Sequence, residues 1–343
     1  MTKNVLLGKN TKEIEAYINA LGEPGYKGKQ ISKWIYQKYV RNFDKMTDLS
    51  KNLRLKLLEE TEVSKNEIAL KTESTDGTVK YLIKLEDGST VECVNIFQPD
   101  HHTACLSTQV GCNVKCPFCA TGLSGFKRNL SVNEIVDQYL LMQANSEERI
   151  SQIVFMGMGE PLLNYDNTLK AVEILNKEIG IGMRHITIST SGVVKNMKKL
   201  MGEKLQLNLA VSLHAAEENL RNRLVPINKQ NSLDEVLKVS KEYADVTKRR
   251  ITFEYVMLKG INDREEDVEY LVTRLKGIHC HINLIPHNPI YSAEKLEATN
   301  MNRIKDFQKK LEASGFPSTI RVSRGSETAA ACGQLSVINS MEK

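Results

Sequence analysis

Little in this chain is extreme, and each shortage removes a class of protein. Aromatic residues make up 6% of the 343 residues, tryptophan occurs once, and 8 prolines and 20 glycines are too few for a collagen-like or low-complexity chain. No apolar run approaches the ~20 residues that span a bilayer. The opening MTKNVLLGKN lacks the charged, apolar and small-residue regions of a signal peptide, so a cytoplasmic protein with no membrane partner is expected. Disulfide scaffolding is poorly supplied too. The seven cysteines are Cys93, Cys105, Cys112, Cys116, Cys119, Cys280 and Cys332, an odd number, and in a reducing compartment thiols serve metal sites or thiol chemistry. What is present, 41% hydrophobic and 26% charged residues, suits an ordinary folded enzyme that buries roughly three-quarters of its unfolded surface.

The net charge of +5 is uneven. Residues 1–60 hold 12 basic and 7 acidic side chains, whereas the remaining 283 residues hold 35 of each. A basic leading segment points to a polyanionic partner, because Lys and Arg displace counterions from phosphates; a solvated helical face would carry the same charges. Apolar spacing in EIEAYINAL, KQISKWIYQKYV and LSKNLRLKLLEE predicts a helical module over residues 1–62. From 63 to 100 the period falls to two, with turns at Asp76-Gly77 and Asp87-Gly88, which predicts a β-meander linker. From 101 to 343 short β-rich runs alternate with amphipathic helices, one of them opened by a Ser131-to-Glu134 capping box. About six βα units and a last strand predict an α/β fold, a partial (β/α)6 barrel, with an open doubly wound sheet as the alternative.

Ligands of such sheets bind at the carboxyl ends of the strands, and the unusual residues fall there. Cys112, Cys116 and Cys119 follow the first barrel strand, Gly157-Met158-Gly159-Glu160-Pro161 the second, Ser189-Thr190-Ser191-Gly192 the third, and Ser212-Leu213-His214 ends the fourth; His287-Asn288-Pro289 follows the sixth and Cys332 the last. Three thiolates spaced C-x3-C-x2-C can wrap three corners of an iron-sulfur cube and leave one iron open, whereas electron-transfer clusters normally take four cysteines. The competing reading is structural zinc, with His101 or His102 as a fourth ligand.

Together with the blocks KGKQISKWIY, TQVGC, CPFCATG, FKRNL, VFMGMGEPLLN, ITISTSGVV, AVSLHA, VPIN, FEYVML, INLIPHNP and AACGQL, that motif makes the chain resemble, over nearly its whole length, the RlmN/Cfr family of radical S-adenosylmethionine (SAM) RNA adenine methyltransferases. The resemblance implies a [4Fe-4S] cluster on Cys112, Cys116 and Cys119, with SAM on the open iron and a 5′-deoxyadenosyl radical formed on reduction. It implies that Cys332 carries a methyl from a first SAM, that a second SAM supplies the radical that activates it, and that a protein-RNA adduct forms. Cys105 then matches the resolving thiol that forms a disulfide with Cys332, and Glu92 the acid-base residue that accepts the ring proton. Gly159, Glu160, Ser189, Ser212, Leu213, His214 and Asn288 match SAM-binding positions.

Substrates implied are an adenosine of 23S rRNA and the tRNA adenosine 3′ of the anticodon, assisted by a low-potential electron donor such as flavodoxin and a thiol reductant. Pro161 in GMGEPLLN and Ala215 in SLHA favour the branch acting at carbon 2; carbon 8, or a zinc-stabilised RNA-binding protein without catalysis, are the alternatives. Arg321 and Arg324 are candidates to depress the pKa of Cys332. Cys93 and Cys280 match no role and are read as packing. One departure stands out: where the family commonly has G-x-D-I-x-A-A-C, this chain has Glu327 and Thr328 in place of Asp and Ile.

Overall fold

The computed structural model describes residues 3–290 and 295–336. The basic segment is helical. Helix α1 (Thr11–Ala20) opens on a capping box in which Asn10 accepts the Glu13 amide at 2.9 Å and Glu13 accepts the Asn10 amide at 2.6 Å. Helices α2 (Tyr26–Tyr36) and α3 (Lys51–Glu60) follow. Ile14, Ile18, Ile31, Ile35, Leu53 and Leu57 recur at helical spacing and are fully buried, which leaves Lys29 and Lys33 exposed on α2. Strands β1 (Asn4–Val5) and β2 (Thr61–Glu62) pair in parallel and bring the two ends of the module together.

The meander consists of β3 (Glu67–Glu73), β4 (Val79–Lys84) and β5 (Thr90–Gln98). Asp76 and Asp87 each accept the amide two residues onward at 2.9 Å, which fixes the two turns. After β6 (His101–Cys105) a short hairpin, β7 (Gln109–Gly111) and β8 (Phe126–Asn129), encloses α4 (Ala120–Leu123), and α5 (Val132–Ala144) begins with the Ser131 amide donating to Glu134 at 2.8 Å. Regular alternation then runs through β9 (Ile150–Phe155), α6 (Tyr165–Lys177), β10 (Ile186–Thr190), α7 (Val194–Gly202), β11 (Asn208–Ser212), α8 (Glu218–Leu224), α9 (Leu233–Thr247), β12 (Ile251–Met257), α10 (Glu265–Leu275), β13 (Cys280–Pro286), α11 (Met301–Ala313) and β14 (Ser318–Ile320).

One ten-stranded sheet results, in the order β14-β13-β12-β11-β10-β9-β6-β5-β4-β3. It is parallel from β6 to β14 and antiparallel through the meander, which continues the barrel's own sheet. Laid flat, six strand spacings of ~4.8 Å would put β6 and β14 nearly 30 Å apart. Yet Cys105 at the end of β6 and Arg321 just past β14 line one cavity, and Arg321 Nη1 lies 3.6 Å from the Met156 sulfur beyond β9. The sheet therefore curls into a barrel, and no pairing between β14 and β6 closes it among the described residues. This is the partial barrel expected from the alternation.

Details depart from expectation at both ends of the barrel. The first strand, read as far as residue 110, stops at Cys105, and the last, read as STIRVS, stops at Ile320, because both chains turn inward to build the site. The β7–β8 hairpin and α8 carry no clear apolar period that would announce them in the sequence. Among the described residues no helix is long and apolar enough to cross a membrane.

Candidate active site at the barrel mouth

The loop that follows β6 is fixed from beneath. Gln138 of α5 accepts the Ser107 amide at 2.8 Å and donates to its carbonyl at 3.0 Å, so a buried side chain replaces the ladder partners that the strand gives up there. Ser107 Oγ donates to the Glu92 carbonyl at 2.5 Å and accepts the Met158 amide at 2.7 Å. Gln109 accepts the Glu160 amide at 2.9 Å. The cysteine loop and the Gly157–Pro161 loop are thereby interlocked. A Cβ on Gly159, whose φ is 101°, would lie 2.5 Å from the Gln109 side chain, so only glycine fits this crossing.

Cys112, Cys116 and Cys119 line a cavity of about 170 Å³ together with Gly159, Glu160, Ser189, Ser212, His214, Asn288 and Cys332. A second cavity, of about 390 Å³, contains Cys105, Arg321 and again Cys332. Cys332 thus sits on the wall common to both. Among the described residues no three His, Cys, Asp or Glu side chains are grouped tightly enough to cage a single ion; what the three loop thiols share is a cavity wall. Burial pushes Cys112 up to about 12 and raises Cys116 and Cys119, and the thiols oppose one another's ionisation. A crowded, desolvated thiol set lacks positive charge, and a metal-sulfur cluster that binds thiolates supplies it. The donor set fits such a cluster.

The loop that carries Cys332 is stapled along its length. The Gly325 amide donates to Asp76 at 3.0 Å, Thr75 Oγ1 donates to Glu327 at 2.9 Å, and Lys80 Nζ donates to the Ala329 carbonyl at 3.4 Å. Asn288 donates to the Cys332 carbonyl at 3.1 Å, the Ala120 amide to the Gly333 carbonyl at 2.7 Å, and Thr121 to the Leu335 carbonyl at 2.6 Å. Glu327, the departure from the family pattern, has therefore found a partner on the meander's first turn. Arg321 shares a cavity with both thiols: Cys332 first, then Glu254 and Cys105, hold its guanidinium more firmly protonated than usual, while burial opposes them. Arg324 instead acts on Asp76.

Several expected SAM positions do more than line the cavity. Glu160 is buried and already accepts the Ser191 amide at 2.6 Å, Ser191 Oγ at 2.7 Å and the Leu162 amide at 3.0 Å, so its carboxylate is oriented before any ligand arrives. His214 adopts φ 57° and its Nδ1 accepts the Val256 amide at 3.0 Å, which leaves the hydrogen on Nε2. Burial, and secondarily Arg221, pulls its pKa down to about 3, so it is a neutral donor. Ser189 and Ser212 lie at the ends of β10 and β11 on the cavity wall. Leu213, expected at the SAM site, does not line the cavity: its side chain is fully buried and its amide donates to the Glu254 carbonyl at 3.0 Å.

The sequence reading missed Arg221 and placed His287 on the rim without giving it a role. Arg221 of α8 is fully buried and donates to the Ser191, Leu213 and Ser212 carbonyls at 2.8, 3.1 and 3.1 Å, knitting two rim loops together. An arginine in a short helix carries no pattern that announces this. His287 is 6% exposed, lines the smaller cavity, and has no hydrogen-bond partner at either ring nitrogen; its place beside Asn288 was the available signal.

Glu92 lines neither cavity. It is fully buried, its Oε1 lies 2.9 Å from Lys80 Nζ, and its Oε2 accepts the Ser336 amide at 2.7 Å. The register pairs Val94 with both Lys80 and Cys105, and strands alternate faces. Glu92, two residues from Val94, therefore shares the inner face with Lys80 and Cys105, while Cys93 points to the opposite one. Cys93 and Cys280 are buried, as packing residues would be.

Comparison with known proteins agrees with this architecture. Residues 106–271 match the Radical SAM superfamily profile, and residues 4–63 match the Ribosomal RNA large subunit methyltransferase N-terminal domain. The chain is 45% identical over 331 residues to a probable dual-specificity RNA methyltransferase RlmN of Thermosynechococcus vestitus, covering 96% of this chain and 98% of that one. It is 46% identical over 340 residues to the protein of that name in Alkaliphilus oremlandii, covering 98% of each. A crystal structure of a radical SAM methyltransferase from Sphaerobacter thermophilus superposes with a TM-score of 0.93 at 40% identity, covering 97% of this chain and 99% of that one. On these grounds the chain belongs to the RlmN family of radical SAM RNA methyltransferases, a membership that implies a 4Fe-4S cluster and SAM.

Proposed function

We propose that the protein methylates carbon 2 of an adenosine in 23S rRNA and of the tRNA adenosine 3′ of the anticodon. The observation that carries the reading is the position of Cys332 on the wall between the chamber of Cys112, Cys116 and Cys119 and the chamber of Cys105. Carbon 2 of adenine is electron-poor and not a nucleophile, so direct methyl displacement is closed to it. The cluster and SAM, when bound, supply a methyl group and a carbon-centred radical, with two SAM consumed per turnover.

In this reading Cys112, Cys116 and Cys119 hold the cluster, and Gly159, Glu160, Ser189, Ser212, Leu213, His214 and Asn288 shape the SAM site. Glu160 offers a preset carboxylate to an ammonium, and Gly159 lets the backbone approach. Cys332 accepts the methyl as a thiolate beside the Arg321 guanidinium. Once the base is joined to that carbon, the adduct gives one electron back to the redox chain that made the radical and Glu92 takes the ring proton. The Cys105 thiolate attacks the Cys332 sulfur, the carbon-sulfur pair stays with the methylene carbon on the base, which takes up a proton and becomes the methyl group, and a disulfide remains for a cytoplasmic thiol reductant to reopen. Burial pushes Cys105 up to about 12, so its proton must leave first; Arg321 lowers that cost. Residues 1–62 grip the RNA with exposed lysines, the meander of 63–100 roofs the Cys332 loop, and a low-potential donor such as flavodoxin supplies the electron.

The test is mass spectrometry of nucleosides from RNA treated with the anaerobically reconstituted protein. Appearance of 2-methyladenosine supports the reading. Appearance of 8-methyladenosine, or protein that takes up zinc and never iron and sulfide, would contradict it.

A further inference from the structure

Both oxygens of Glu92 are occupied. Oε1 faces Lys80 Nζ at 2.9 Å and Oε2 accepts the Ser336 amide at 2.7 Å. Lys80 also reaches the Ala329 carbonyl at 3.4 Å. The two contacts to the C-terminal loop fall on opposite sides of Cys332, three residues before it and four after. A single ion pair on adjacent strands of the meander thus pins the reactive loop from both flanks, at 6% and 0% side-chain exposure. The Ser336 bond to the Glu92 carboxylate, charge-assisted and dry, is the strong kind, and the longer reach of Lys80 to Ala329 is the weaker of the two.

Glu92 is fully buried and lines neither cavity, so no substrate proton reaches its carboxylate while Ser336 sits on it. If Glu92 is the proton acceptor, the loop must leave its seat before that carboxylate becomes available, and leaving the seat moves Cys332. We propose that the Lys80–Glu92 pair is a latch on the Cys332 loop, with Lys80 as a positioning residue. While latched, the loop keeps Cys332 against the cluster chamber, where the methyl is received. Release of Ser336 swings the loaded sulfur toward RNA and frees the Glu92 carboxylate in the same motion, so the base acts only after the methyl carrier has moved. This inference rests on the functional reading above for the roles of Cys332 and Glu92. The hydrogen bonds that define the latch do not depend on it.

Hydrogen exchange followed by mass spectrometry on the full reconstituted protein reads the latch without reference to activity. Residues 329–336 are expected to exchange slowly in the parent, at least tenfold faster in Lys80→Met, and near the parent rate in Lys80→Arg, which keeps the charge. Ser336→Pro deletes the donated hydrogen, together with the hydroxyl contact to Ser124 at 3.1 Å, and is expected to speed exchange of the same segment if Lys80→Met does not fold. Ser336→Ala is the control that removes the hydroxyl alone and keeps the amide. A parallel single-turnover assay follows methylation of Cys332 without RNA. It is expected to slow at least fivefold in Lys80→Met and to recover in Lys80→Arg, with RNA KM unchanged. Exchange in Lys80→Met and Ser336→Pro within twofold of the parent would overturn the latch, and so would failure of Lys80→Arg to restore it. Should the parent show the expected exchange pattern while Cys332 never gains a methyl, the functional reading fails and the latch stands.

Discussion

Burial decides how Cys105 behaves before any partner does. Loss of water raises its pKa from 9.0 to about 12, Cys332 adds to the rise and Arg321 opposes it. A thiol raised on folding contributes stability that is complete below pH ~9 and lost as pH climbs toward 12, because the unfolded chain releases the proton first. The melting temperature of the parent is therefore expected to fall more steeply between pH 9 and 12 than that of Cys105→Ala, and equal slopes would contradict the assignment. His287 makes the converse case. Two unpartnered ring nitrogens at 6% exposure cost roughly 1–3 kcal/mol each when left dry. His287→Phe is expected to raise the melting temperature of the ligand-free protein by about 2 °C or more while weakening SAM binding in calorimetry. A lower melting temperature would show that the ring is simply structural. The cysteines were legible because C-x3-C-x2-C has few other uses, and a fixed spacing survives folding. Arg221 was not, and His287 was visible only as a rim position, since burial and partner count are properties of the folded neighbourhood and leave no trace in spacing.

At the scale of elements, the small β7–β8 hairpin decides whether the cysteine loop can exist. Gly111 sits at φ 74°, and a Cβ there would lie 1.7 Å from the Gly125 carbonyl oxygen. Gly111→Ala must therefore break the pairing of Gly111 with Phe126 and the Cys112 amide bond to Gly125. Such protein is expected to retain less than roughly a tenth of the parent's iron and sulfide, since holding three ligands to a cluster requires their backbone to be preset. Retention of parental iron would show that the hairpin is dispensable. The alternating βα pattern was readable because amphipathic helices and buried parallel strands differ in period. The hairpin, with FKRN exposed on one strand and only three residues on the other, offers no period, and its shape comes from the cluster loop that it frames. The meander's turns were visible at Asp76-Gly77 and Asp87-Gly88. That the first of them receives Gly325 and Glu327 is a contact across about 250 residues that no local pattern encodes.

Among the described residues the main apolar core runs from Leu6 and Ile14 in the helical module through the barrel to Leu335, and a smaller cluster around Cys112, Val114, Leu224 and Leu258 sits apart from it. Arg41 ties the module to α5 through Asp137 at 2.6 Å, and Ser64 and Asn66 converge on the same carboxylate. The basic excess of residues 1–60 is thereby packed against the barrel. If it grips RNA, Lys29→Glu with Lys33→Glu is expected to weaken RNA binding and to reduce the slope of log affinity against log salt by about 1–2, at ~0.7–0.9 per phosphate contact, with SAM binding unchanged. An unaltered salt slope would place the RNA elsewhere. The charge bias itself was plain in the sequence, but the shared core was not, because amphipathic helices of an independent module and of a docked one read alike. The central claim, that Cys332 carries the methyl from the cluster chamber to the base, is tested most directly by tracing isotope-labelled SAM. Labelled methyl is expected on the Cys332 peptide before RNA is added, and then on carbon 2 of adenosine as the peptide loses it. Label that reaches RNA while Cys332 stays bare throughout would contradict the account.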